Sequence, residues 1–544
     1  MTATPKTLQV GNLSINGSLS PDGSVASFLG IPFAQIPARW RQAALIDAFD
    51  GRDGGVLDAT KYGPIVPQPP SASTLNHPEI RQSEFGCLNL NVWAPAEALE
   101  GKGEALPVIA WVHGGGYMWG HNATQDGSHL VRRSVQLGKP VIVVAMNYRM
   151  HLLGLVGCKE LREEAHSLGE HGYYNLGLHD QRLGFQWIQR HIHRFGGSPT
   201  RVTAMGESAG AHSILWHMRS SYPAFQRAIV HSSPFHQPLT RADHQLKWDA
   251  LFAKLGIAPD APTGVKLAAA RSLSAEEVVA AYDGSQPAFP CVDDGFLVDY
   301  DPATIGESNY WGTWPGWVDA VVIGTMKEEG SFCLPEYVSA SPSVIRSGIV
   351  ASAGPDPSAR AFLAEVADAY GITGSGEEDQ PTAFYAMQKF VGDGFFVCHA
   401  VETAREAARQ GRRVYFEAFD QRDDDQPWLP FLGPGQWAYH AFDVPFLFYA
   451  PSTQVRPAYK RVADDVSRSY AAFAYGEEPW EPLGTAGRCG VYTGQGLTME
   501  ALDDRVKEGD ALRTTPERRD LFRRGAYKLH LNIFEAAARA KGGN

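Results

Sequence analysis

Residues 201–218 read RVTAMGESAGAHSILWHM, and this stretch decides the fold. RVTAM has the composition of a buried strand and AGAHSILWHM that of a helix. Between them lies Gly206-Glu207-Ser208-Ala209-Gly210. A serine in GxSxG on a sharp strand-to-helix turn projects its hydroxyl clear of a sheet, and the glycines let strand and helix approach closely. Alone the pattern is weak, because a chain of this composition yields about 0.35 such matches by chance.

Working outward, the neighbouring segments supply the context that the turn requires. LPVIAWV (Leu106–Val112) and VIVVAM (residues 141–146) are apolar runs of the kind buried on both faces of a parallel sheet. Residues 175–195 form a helical pattern with Leu183, Trp187, Ile188 and Ile192 on one face, closed by FGGSP. Residues 228–231, 320–324 and 414–419 read as further strands. Strand, helix and strand at this spacing predict a right-handed βαβ series, hence an α/β fold with a mixed, mostly parallel sheet. Residues 67–84 and 354–380 read as loop-rich or helical excursions. No linker divides the chain, so one domain is expected over residues 1–544.

His113-Gly114-Gly115-Gly116 ends the strand LPVIAWV. HGGG is expected by chance only about 0.02 times in this chain, which makes it the sharper signal. Its glycines can turn backbone N–H groups toward an oxygen and, with the amide of Ala209, form an oxyanion hole. A nucleophilic serine also needs a base and a group to orient that base. Glu329, in TMKEEG, follows the strand AVVIG, and His440, in GQWAYH, follows VYFEAF and a long loop. All four elements follow strands, and open α/β sheets bind ligands off the carboxyl ends of their strands. With 18 histidines and 60 acidic residues in the chain, these residues alone leave the choice of partners open.

Composition narrows the partners. Of 544 residues, 44% are hydrophobic and 20% charged, enough to bury a core. A net charge of -12 opposes phosphate backbones, so nucleic-acid binding is excluded, and anionic membrane surfaces are poor partners for the same reason. No apolar run approaches the ~18 residues that a membrane span needs. Cys87, Cys158, Cys291, Cys333, Cys398 and Cys489 form no CxxC pair, so neither a metal site nor a disulfide framework is expected. The N-terminus has no apolar signal region and the C-terminal ARAKGGN no retention signal, so a cytoplasmic protein is expected.

Together HGGG, GESAG, the EEG segment and the late histidine resemble the type-B carboxylesterases, the cholinesterase and lipase branch of the α/β-hydrolase fold. SFLGIPFAQIPARW (residues 27–40), CLNLNVWAP (87–95), Asn147-Tyr148-Arg149, NLGLHDQRLGFQWI, FPCVDDGFL and HAFDVPFLF are similar to family signatures in the same order. The resemblance implies a deep pocket under long excursions and a small-molecule ester as substrate, with no cofactor and no metal. It implies Ser208 as nucleophile, His440 as general base and acid, Glu329 as orienting carboxylate, and Gly115, Gly116 and Ala209 as oxyanion donors. Glu328 then takes a variable position and is expected to face solvent. Glu207 is similar to the family's carboxylate near the histidine. Ser232 matches a family serine near the acid, although SSP departs from the usual SGS. Tyr117, Met118 and Trp119 are candidate pocket residues.

The resemblance leaves hydrolysis open beside transacylation, or a lactone or elimination step. Adhesion-type members keep the fold but lose the serine. Two departures matter. The family's loop partner for Cys87 is missing from KYGPIVPQPP, and LFAKLGIAPDAP also lacks cysteine, so six free thiols are expected. The loop that in cholinesterases carries a tryptophan for quaternary ammonium reads NHPEIRQSEFG here, with only Phe85 and His77 as rings, which disfavours a choline cage.

Overall fold

The computed structural model describes residues 4–10, 12–46, 55–170, 173–234, 239–281, 288–292, 296–297, 312–332, 340–374, 380–424, 437–484, 487–503, 515–522 and 524. Cys333, Gly435, Gln436 and the ARAKGGN tail lie outside them.

Thirteen strands among the described residues share one sheet. Numbered along the chain, they are β1 (Thr4–Val10), β2 (Leu13–Leu19), β3 (Val25–Pro32), β4 (Val56–Asp58), β5 (Asn89–Pro95), β6 (Leu106–Val112), β7 (Ile142–Met146), β8 (Gly197–Glu207), β9 (Arg227–His231), β10 (Ala320–Met326), β11 (Arg413–Phe419), β12 (Arg488–Thr493) and β13 (Gly496–Ala501). Their spatial order is β1-β2-β3-β5-β7-β6-β8-β9-β10-β11-β12-β13, with β4 beside β2. From β7 to β12 every pairing is parallel, and β1-β2-β3-β5-β7 and β12-β13 pair antiparallel. The apolar runs are strands because both faces are covered. Val108, Ala110 and Val112 of β6 and Ile142, Val144 and Met146 of β7 join one core, while Ile109, Trp111, Val143 and Ala145 join the other. This alternation is the two-residue period of a strand sandwiched between helical layers.

Helix α1 (Leu176–His191) and helix α2 (Ala209–Met218) pack on the first face. A third core lies beneath helix α3 (Gln380–Gly392) and the helices Pro342–Ala351 and Pro357–Ala369. Helix α4 (Cys398–Arg409) also packs on the first face, and helix α5 (Pro457–Ala474) on the second. Arg149, at the end of the β7 extension, reaches α1. Its Nε and Nη2 donate to Asp180 at 2.8 Å each, and both side chains are buried. A bidentate pair of this kind removes two charges from water only by satisfying both.

No helix among the described residues is long and apolar enough to cross a membrane, and none of their His, Cys, Asp and Glu side chains cluster as a metal site would require. Cys87, Cys158, Cys291, Cys398 and Cys489 are buried and form no disulfide among the described residues. Burial pushes the Cys87 thiol up to about 12, so it behaves as a small hydrophobe. The unstapled loop before it is held by Arg39, whose Nε and Nη2 each donate to Glu84 at 2.6 Å.

The tightest approach in the sheet is where α2 begins. A Cβ on Gly210 would lie 2.0 Å from the Val112 carbonyl oxygen of β6. Gly210→Ala must therefore shift backbone and should cost about 1–3 kcal/mol or more. Gly264→Ala, in a helix with nothing within 4 Å of its Cβ, should be neutral or stabilise by about 0.5 kcal/mol. Denaturant melts of the two variants check the contrast, and equal melts would contradict this packing.

Candidate active site

Three strand ends and one loop assemble the site. Ser208 follows β8 and caps α2 with φ 55° and ψ -124°, a backbone that an L-residue holds only under constraint from its surroundings. Its N–H donates to the carbonyl of His231 at the end of β9 (2.9 Å), and its carbonyl accepts from His212 N–H. The residue is half-buried, with its neighbours Glu207 and Ala209 fully enclosed.

Glu329 stands in a 3₁₀ turn after β10 and is 1% exposed. Its Oε1 accepts the Met326 N–H at 2.8 Å and its Oε2 meets His440 Nδ1 at 2.7 Å. The carboxylate is thus pinned on one oxygen and free to pin the imidazole with the other. Phe396, on the π-helical turn Asp393–Val397, packs its ring 4.6 Å from the His440 ring. π turns inserted between helices are often found at functional sites.

Glu328 does not face solvent as expected. It is 5% exposed, its N–H donates to the Ala438 carbonyl, and its Oε2 accepts the Ala438 N–H at 2.6 Å. The two consecutive glutamates divide the work: Glu328 clamps the backbone two residues before His440, and Glu329 holds the ring. The clamp explains the burial, since a bridge between Glu328 and Tyr439 draws the His440 loop over it.

The other face of the imidazole meets Glu207. His440 Nε2 lies 3.1 Å from Glu207 Oε1, in contact but without hydrogen-bond alignment. The sequence places Glu207 near the histidine by resemblance, and in the structure it lies against Nε2. Burial opposes a charged imidazole, but the charges of Glu207, Glu329 and Asp443 and the Glu329 hydrogen bond outweigh it and raise His440 above the ordinary histidine range. Burial raises Glu207 well above the ordinary carboxylate range, the nearby imidazoles notwithstanding. The two groups compete for one proton.

Gly115 and Gly116 follow β6 with φ of 101° and 60°. A Cβ on Gly115 would lie 2.0 Å from the Trp119 carbonyl oxygen, so the loop closes only around glycine. Among the described residues neither N–H has an acceptor, and Ala209 N–H opens a helix. A Cβ on Gly114 would lie 3.1 Å from Ser208 Cβ, so the glycine loop runs beside Ser208. The loop is braced by residues that sequence reading missed. Tyr148 O–H donates to the His113 carbonyl at 2.8 Å, while Gln68 accepts the Gly120 N–H (2.8 Å) and donates to its carbonyl (3.1 Å). Tyr148 lies inside the Asn-Tyr-Arg signature, but Gln68 carries no local signal.

The expected pocket residues separate. Tyr117 is wholly buried, and its hydroxyl contacts His212 Nδ1 and Ser213 Oγ at 3.1 Å each, so it packs beneath the glycine loop. Its φ is 60°. Met118 is half-buried and Trp119 is 45% exposed. Ser232 is buried with φ 48°, its N–H on the Gly324 carbonyl and its hydroxyl without a partner among the described residues.

Residues 6–489 match the family model described as the carboxylesterase family. The chain belongs to that family. It is an α/β-hydrolase and a carboxylic ester hydrolase acting on small-molecule esters. It is similar to an acetylcholinesterase of Bungarus fasciatus, 29% identical over 519 residues that cover 88% of this chain and 80% of that protein. It is also similar to lipase 3 of Yarrowia lipolytica, 28% identical over 514 residues that cover 91% and 92%.

The buried charges of this carboxylesterase have a consequence for stability. His440 is raised, and His231 is pushed up to about 9, because the surrounding carboxylates outweigh burial. The native state therefore holds protons that the unfolded chain releases near pH ~6.5. That stability is fully present below pH ~6.5 and is lost as the pH rises through 9. The melting temperature should fall across this window, and a flat profile would contradict the charge arrangement.

Proposed function

We propose that Ser208 is the nucleophile of a two-step acyl transfer, with His440 as proton carrier and Glu329 as its orienting carboxylate. The observation that carries this reading is the buried 2.7 Å contact between His440 Nδ1 and Glu329 Oε2, 111 residues apart in sequence. With Nδ1–H donated to Glu329, Nε2 is the accepting nitrogen. Ser208 Oγ attacks the ester carbonyl carbon and its proton passes to Nε2. The oxyanion takes hydrogen bonds from the N–H groups of Gly115, Gly116 and Ala209. The alcohol leaves with the proton, and water repeats the sequence on the acyl-enzyme. No step calls for a metal or organic cofactor.

The substrate we infer is a small to medium apolar ester. The Phe396 ring against His440 and the exposed Trp119 beside the oxyanion glycines support an apolar surround. A choline ester is disfavoured, since Phe85 is exposed and the His77 ring packs on His121. Five buried cysteines outside any disulfide among the described residues support a compartment that keeps thiols reduced, in line with a cytoplasmic location.

A fluorophosphonate should add once, at Ser208, and Ser208→Ala should abolish p-nitrophenyl ester hydrolysis while keeping the melting temperature. An adduct mapped to another residue would overturn the assignment. A series of acyl chain lengths would then define the substrate.

Glu329→Gln should lower kcat by a factor on the order of 10⁴, the size of loss seen when a triad acid is neutralised. Glu328→Gln retains an acceptor for the Ala438 N–H and should cost less than tenfold. Glu328→Ala leaves that buried N–H unpaired and should destabilise by about 1–3 kcal/mol. Steady-state kinetics and melts on the three variants distinguish orienting the ring from clamping the loop.

A further inference from the structure

Behind the triad lies a second imidazole that the acyl-transfer steps do not use. His231 ends β9 and is 1% exposed. Its Nδ1 lies 2.7 Å from Asp443 Oδ2, three residues past His440, and its Nε2 lies 3.1 Å from Glu417 Oε1 on β11. The Tyr470 hydroxyl of α5 also meets Nε2 and donates to Glu417 Oε1 at 2.8 Å. The His231 backbone carbonyl accepts the N–H of Ser208 itself, so the residue is joined to the nucleophile.

Both ring nitrogens stand within ion-pair distance of carboxylate oxygens, Asp443 Oδ2 without hydrogen-bond alignment. A neutral imidazole brings no charge to set against them, whereas an imidazolium does. The titratable groups around it are Glu207 from β8, Glu417 from β11, Asp443 from the His440 loop, Tyr470 from α5 and, against Glu417 and Tyr470, Tyr492 from β12. Beyond Glu207 and Asp443 stand His440 and Glu329. Burial alone would lower His231, but Glu417, Asp443 and Glu207 hold it protonated up to about 9.

We propose that His231 is a positioning residue, a buried imidazolium whose charge balances Asp443 and Glu417 and so tunes the pH at which His440 becomes a base. The inference rests on His440 as the base proposed above. With His231 charged, the trio of His231, Asp443 and Glu417 carries one net negative charge. Without it, the same trio leaves an additional negative charge behind His440, which favours the imidazolium form of the catalytic ring.

The test is the pH dependence of kcat/KM for a neutral ester. The acid limb should move up by about 0.5 or more on the pH scale in His231→Gln, since one unit charge removed at a low-dielectric site is felt at this level. It should move down in Glu417→Gln, which removes a negative charge. The double variant His231→Gln/Glu417→Gln restores the net charge and should return the limb toward its starting position. A purely structural role would lower stability and leave the limb in place.

If His231→Gln does not fold, the downward shift in Glu417→Gln decides alone, and its absence overturns the proposal. His440→Gln separates the two readings. Hydrolysis surviving in His440→Gln would overturn the base assignment. An inactive His440→Gln alongside unmoved limbs in the His231 and Glu417 variants would overturn the His231 inference only.

Discussion

The structure turns on one steric constraint, the contact between the start of α2 and the strands beneath it. Gly210 sits where a side chain would strike the Val112 carbonyl, and a Cβ on Gly206 would lie 2.7 Å from the Gly210 carbonyl carbon. That proximity forces the turn between them to be sharp and places Ser208 in an uncommon backbone region. The same turn fixes Ala209 N–H at the helix start, beside the glycine loop that ends β6. Because β6, β8, β9 and β10 run parallel, their carboxyl ends share one edge, and residues from distant segments meet there.

Around that edge the protein concentrates charge that would be costly to bury singly. His440 has Glu329 on one nitrogen and Glu207 near the other, and His231 has Asp443 and Glu417. Isolated ions in a low-dielectric interior cost several kcal/mol each, so these groups are tolerable only as a mutually compensating set. Such sets keep pKa values away from their solution range, as acid–base chemistry near neutral pH demands. The Arg149–Asp180 pair solves the same problem for architecture, tying the β7 extension to α1.

Much of this was legible from the chain, for reasons that particular residues make plain. Leu106–Val112 read as a strand because both of its faces are covered, so every residue is apolar, and β6 has those bounds. The strand before Ser208 was read too short, from residue 201, because its first residues at Gly197 and Ser198 are small and polar. Ser208 is marked by its motif, Glu329 and His440 are singled out only through the family resemblance, and the structure brings Glu329 and His440 into contact. Glu328 was misread because its surroundings are set by a tertiary contact, a backbone bridge to Tyr439. His231 and Gln68 were missed for a related reason. The partner of His231, Tyr470, is 239 residues away, and no local period announces a contact of that range.

Gln68 makes the oxyanion loop a matter of local stability as well as of geometry. Its side-chain amide pairs with both polar groups of Gly120, as a neighbouring strand would, and the adjacent Pro67 carbonyl contacts His151 Nε2 at 2.8 Å. Hydrogen bonds between neutral groups contribute about 0.5–1.5 kcal/mol each. Those of Gln68 add to the Tyr148 hydrogen bond on the His113 carbonyl, so the loop is held at both of its ends. The shape of the glycine loop after β6 is thereby tied to a segment 52 residues earlier in the chain, so a change at Gln68 would be felt at a loop that shares no local sequence with it.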